Sequence, residues 1–333
     1  MPEPEETGLE KGSAPKKGCL GCSFPLIIGI LVAFLVLFIV GFAGGPLGKS
    51  MLGDIGLPSW LSVPQPDPKL PAEGVFHLFG FPITNSIIAA WLTIIVLVGF
   101  SYAVTHRIKL IPGRLQAAFE FLLGWLYDLC QQVAGEKNGR QFFPVVTTIF
   151  LFVAFNAWLS LLPGFGSITI TNSEGELVHL LRAANTDINM PLAIALMSFV
   201  FVEYFGIRLR GGFRYLSKFV NVGQFFRSIG QLFRGKVKAG FSGLITGVIN
   251  IFVGFLETLS ELVRIVSFTF RLFGNMTAGE ILLLIAMFLV PWLFALPFYG
   301  LELLVGFVQA LIFGGLTLVF LTVAVASHEE EVA

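Results

Sequence analysis

Long apolar runs alternate along this chain with polar segments rich in Pro and Gly. The first run, residues 24–43, has no charge and reaches the ~20 residues that cross a bilayer core. It reads as a membrane span or a cleaved secretory signal; its length exceeds the usual signal core, which favours the span. Residues 44–85 carry repeated Pro and Gly, as in PSWLSVPQPDPKLP, and predict an irregular external segment. Further spans are predicted over 86–105, 142–162 and 190–207. From 241 to 292 the chain stays apolar for longer than one crossing needs, which predicts a long tilted helix with its inner end in the interface. Pro291 and Pro297 bracket a short turn, and the chain returns over 298–326, with 301–326 as the apolar body.

One segment has a different period. Leu115, Phe119, Leu122, Leu126, Leu129 and Val133 recur at helical spacing, with Gln116, Glu120, Asp128 and Gln131 between them. Pro112 stands near the expected helix start. The pattern predicts an amphipathic helix on the membrane surface, or else an ordinary helix packed on other protein. The fold class is therefore an all-α membrane protein. It has about six membrane-spanning helices, including a long tilted C-terminal hairpin, plus one amphipathic surface helix.

Composition agrees: 55% of residues are hydrophobic, 13% are charged and the mean hydropathy is +0.84. A soluble domain carries about a quarter charged residues. The net charge of zero gives no nucleic-acid footprint. Residues 1–23, rich in Glu, Lys, Gly and Pro, form a tail unable to bury a core. Cys19 and Cys22 make a lone C-x-x-C with no second pair, so neither a disulfide framework nor a metal site is expected.

Charge placement sets the orientation. Sixteen of the 21 Lys and Arg fall in 1–23, 106–141 and 208–240, alternate segments that share one side. Lys49, Lys69 and Arg182 fall on the other. By the positive-inside rule, both termini are expected in the cytoplasm. The two left over, Arg264 and Arg271, lie inside the long apolar run.

Charge within a span costs about 2.5–3.5 kcal/mol per Arg, Lys or Asp even on the lenient insertion scale. The long helix nevertheless carries Glu257, Glu261, Arg264, Arg271 and Glu280, and its partner carries Glu302 and Gln309. Glu257, Glu261 and Arg264 stand three or four apart and can pair on one face, as a relay or as a self-neutralised cluster. Ser260, Ser267 and Asn275 extend a polar stripe that calls for a polar partner or a water-filled cavity. Folding the hairpin about Pro291 puts Gln309 level with Arg271, and Glu302 level with Glu280. The two carboxylates then lie about 13 Å outward of Arg271. If they are close they repel, so one of them should hold a proton; alternatively, Glu302 is merely solvated near the turn. Arginine does not deprotonate in proteins. A fixed cation between two sets of carboxylates blocks direct proton hopping and implies a moving carrier. A secondary transporter with a buried charged substrate site is the main alternative, and a membrane scaffold the third.

At 267–280, SFTFRLFGNMTAGE closely resembles the signature of subunit a of the F-type ATP synthase. IPGRLQAAFE, TIFLFVAFNAWLSLLPG, ANTDINMPLAIAL, FVQALIFGGLTLVFL and the acidic SHEEE resemble the same family in the same order, covering about 76 to the C-terminus. The resemblance implies a proton-conducting subunit of the bacterial plasma membrane, packed by its hairpin against a ring of c subunits. Its other partners would be the b subunits of the peripheral stalk and the rest of the synthase. It implies that Arg271 faces the ring carboxylate. Asn275, Glu280, Glu302 and Gln309 would then line the outer half-channel, and Glu257 and Ser260, beside Glu261, the inner one. At the position of Glu302 the family often has histidine. The span at 24–43 and the segment that follows exceed the compact pattern. No P-loop or nucleotide fingerprint is present, so ATP chemistry is expected on other subunits, and no cofactor or metal on this one.

Overall fold

The computed structural model describes residues 24–53, 65–66, 71–106, 108–172, 175–212, 227–229, 237–291 and 294–326. The N-terminal tail with Cys19 and Cys22, most of the basic 208–240 segment and the SHEEE end lie outside the described residues. The chain order is α1 (Phe24–Gly44), α2 (Pro46–Leu52), β1 (Gly74–Leu78), β2 (Phe81–Thr84), α3 (Asn85–Thr105), α4 (Arg114–Ser160), β3 (Thr169–Thr171) and β4 (Leu177–His179). A 3-10 turn (Ala184–Thr186), α5 (Asn189–Arg210), α6 (Val237–Leu289) and α7 (Ala295–Ala326) complete it. Six of the helices are long and apolar enough to cross a membrane: α1 and α3 to α7.

The predicted spans recur with shifted ends. The segment over 44–85 is less irregular than expected, because it holds α2 and the antiparallel hairpin β1–β2. Pro297 does not close the turn. It sits in the first helical turn of α7, where its missing N–H has no intrahelical partner to lose. The amphipathic helix and the third span are two successive helices within α4, broken at Gly135 (φ 76°, ψ 164°), a backbone region open to glycine alone. The first arm does not present its apolar stripe to lipid only. Leu126 and Cys130 are fully buried and Phe119 and Leu122 pack on the core, while Leu115, Phe121 and Trp125 are exposed. Gln116 ties the preceding linker to this arm, accepting from Lys109 N–H at 3.2 Å and donating to its carbonyl at 3.1 Å.

The chain divides into two compact units. In the smaller, formed by residues up to 65 and by 286–296, α1 exposes apolar side chains along most of its length. At its end, Gly45 lies against the Leu289 carbonyl and Pro291, with no room for a β-carbon.

The larger unit is built around the second arm of α4. Phe150, Val153, Ala154 and Ala157 pack with Ala195 of α5, Phe268, Leu272 and Met276 of α6, and Ala310 and Phe313 of α7. Lipid gives apolar surfaces little reason to associate, so close van der Waals packing and interhelical hydrogen bonds hold such helices together. Gly306 of α7 touches the Ala157 methyl group, and Ser198 of α5 meets Thr317 of α7 at 2.8 Å, fully buried. The α6–α7 hairpin follows the predicted register. Phe268 meets Phe313 (ring centroids 4.8 Å apart) and Gly279 meets Glu302, each within one residue of the pairing that levels Arg271 with Gln309.

Candidate functional site

The polar positions of α6 divide between two faces. Ser260, Ser267 and Asn275 are exposed, each a near-whole number of helical turns from its neighbours. Arg271 lies on this stripe, half-buried. Its guanidinium donates to Ser267 Oγ at 3.4 Å and stands 5.9 Å from the Phe268 ring centre. Among the described residues it makes no ion pair, so it is a permanent cation with room for an external anion.

Away from the stripe, α7 brings two polar groups inside. Gln309 and Glu302 are each 7% exposed. Glu302 is thus not the solvated side chain that its nearness to the turn allowed. Its carboxyl rests on Gly279, where any β-carbon would overlap it. That contact puts it one residue from the level of Glu280 on α6, in keeping with the expected register. Glu280 in turn is ion-paired with Arg182 at 3.5 Å. The register therefore puts Glu280 and Glu302 at one depth, whereas Asn275 lies on the exposed stripe.

In the inner group, Glu261 and Arg264 pair as their spacing allows. Glu261 is 4% exposed and closes on Arg264 at 2.7 Å. The Arg264 guanidinium also lies 3.8 Å over the Phe320 ring of α7. Glu261 is thus held in the α6–α7 contact, while Ser260 faces outward and Glu257 is half-buried.

Sequence reasoning placed Arg182 in an external loop and gave it no role. In the structure it is a fork: Nε donates to Thr186 Oγ1 at 3.2 Å, one terminal nitrogen donates to the Pro71 carbonyl at 3.1 Å, and the other pairs with Glu280. Nearby in the fold is a polar cluster that was also missed. Ser86 donates to Asp187 at 2.6 Å, Asn189 donates to the same carboxylate, and Asn156 joins Thr93 at 3.0 Å and the Asn185 amide at 3.2 Å. The Asn185 side chain is fully buried, and neither of its polar atoms finds a protein partner. Buried polar atoms of this kind line sites that hold water. The signal was present in ANTDINM, but these residues sit on a loop and on helix ends, where helical periodicity assigns no face.

The family model described as ATP synthase A chain matches residues 87–322. ATP synthase subunit a of a Nitratiruptor species is 29% identical over 266 residues, covering 78% of this chain and 99% of the relative. The subunit of that name from Gloeobacter violaceus is 30% identical over 247 residues, covering 74% and 85%. That of Helicobacter pylori is 29% identical over 238 residues, covering 72% and 88%.

Proposed function

This chain belongs to the ATP synthase A chain family, a component of the synthase membrane sector, and from that premise we propose that it carries protons along two offset half-paths coupled to a rotating ring of c subunits. The outer half-path runs by Gln309, Glu302 and Glu280, with Asn275 at its ring-facing edge. The inner half-path runs by Glu257 and Ser260, with Glu261 fixed beside them by Arg264. Arg271 stands between the two. The chain performs no ATP chemistry itself; that belongs to partner subunits. The b subunits of the peripheral stalk hold it against the ring. Both termini face the cytoplasm of a bacterial cell, 24–43 is a retained span, and 86–333 forms the proton-conducting domain.

One observation carries this reading: Arg271 is a cation without a counter-ion among the described residues, on the exposed stripe of α6, while the buried carboxylates Glu261 and Glu302 lie to either side of it along the hairpin. A ring carboxylate arriving at Arg271 is attracted in its ionised form and so gives up its proton. The charge also bars protons from passing between half-paths while the ring is still. The test is proton flux in vesicles that contain the assembled synthase, with and without ATP. Arg271→Ala should abolish ATP-driven pumping. Normal pumping with normal coupling to hydrolysis by that variant would sink the reading.

A further inference from the structure

We propose that Arg182 is a positioning residue for proton transfer: the 180–187 loop uses its charge to hold the Glu280 carboxylate in place beside Glu302. This inference rests on the outer half-path proposed above.

Three observations carry it. Arg182 is itself mostly buried, its side chain 11% exposed, so its charge is poorly screened by water. Its guanidinium is anchored by contacts other than the ion pair, to Thr186 Oγ1 and to the Pro71 carbonyl, so its position is set by the loop and not by Glu280. Glu280, by contrast, has no hydrogen bond to the buried carboxylate oxygen that faces Arg182, so the ion pair alone holds that oxygen.

The groups around Glu280 leave this part to Arg182. From α7, Glu302 rests on Gly279 and so brings a second carboxyl group to the depth of Glu280, and two carboxylates charged at once would repel. From the loop, Asp187 is occupied by Ser86 and Asn189. Arg271 donates to Ser267, on the exposed stripe. With Arg182 in place, Glu280 and Glu302 can lie side by side within the reach of one proton. Without it, repulsion drives Glu280 away from Glu302 and lengthens the transfer between them.

The fork makes the proposal separable from a merely structural role. Lysine keeps a point charge that can pair with Glu280 but cannot reproduce the three-way geometry. Glutamine can bond Pro71 or Thr186 but has no charge. Proton flux into vesicles carrying the assembled synthase is measured for Arg182→Lys, Arg182→Gln, Glu280→Gln and the double variant, normalised to the amount assembled. We expect Arg182→Gln to slow flux roughly tenfold, as loss of a partly buried charge contact does, and Arg182→Lys to keep most of it. Arg182→Gln should add nothing once Glu280 is Gln. If Lys is as slow as Gln, or if the two losses multiply, Arg182 merely ties the loop together and the proposal is wrong. If Glu280→Gln conducts normally, the outer half-path itself is wrong. If Glu280→Gln abolishes flux, the comparison of Lys with Gln at 182 decides alone.

Discussion

The carboxyl group of Glu302 on α7 rests on the bare α-carbon of Gly279 on α6. The contact works only because residue 279 has no side chain. Gly279→Ala should displace Glu302 and slow proton flux severely, and shortening the acid in Gly279→Ala/Glu302→Asp should recover part of it. Flux in vesicles measures both. Equal rates for Gly279→Ala and the native chain would show that Glu302 has no fixed position there.

Glu302 is buried, and the proposed outer half-path has it pass a proton. Glu302→Gln keeps the shape but cannot titrate, and should slow flux while assembly persists. Glu302→His should keep substantial flux, because imidazole exchanges protons near neutral pH. ATP-driven acidification, with assembly checked by detergent extraction and native gels, separates the two. Native rates from both variants would remove Glu302 from the path.

At position 271, charge alone is not expected to suffice. Lysine can lose its proton when desolvated and lacks the planar fork, so Arg271→Lys should pump less than the native protein. Arg271→Ala should stop pumping and let protons leak down an imposed gradient. A dye-monitored gradient without ATP reads the leak.

Gly135 stands at the elbow of α4 with a backbone that side chains disfavour. Gly135→Ala should cost about 1–3 kcal/mol and lower the unfolding temperature in detergent. An unchanged temperature would mean that the elbow relaxes without strain.

Orientation can be read from labelling. With Cys19 and Cys22 replaced by Ser and the buried Cys130 left in place, an impermeant thiol reagent added to intact cells should modify Ser167→Cys and miss Lys137→Cys. Both positions are exposed in the structure. The reverse pattern would invert the topology.

The helices and the hairpin register were legible because a bilayer imposes strict length and charge rules, and because an antiparallel pair folded at Pro291 has little freedom in its pairing. Phe268–Phe313 and Gly279–Glu302 follow from that register. The sharp break at Gly135 between the amphipathic segment and the third span was not legible, since one glycine in a sequence does not announce a positive φ. Arg182 was not legible for a related reason. A loop has no period, so nothing in the sequence says that it folds back over Glu280. Glu261 and Arg264 were visible as a pair, but which way the pair faced was decided by Phe320, more than fifty residues further along.

The keyed contacts of α7 also have a mechanical consequence. A rotor dragging on the exposed stripe of α6 would apply shear to that helix. Sliding α6 along α7 by even one residue, about 1.5 Å, would drive the Glu302 carboxyl out of the gap at Gly279 and misalign Phe268 with Phe313. α7 in turn is locked to α4 at Gly306 and to α5 at Thr317. Torque borne by Arg271 would therefore be spread over four helices, and the charge would keep its depth under load.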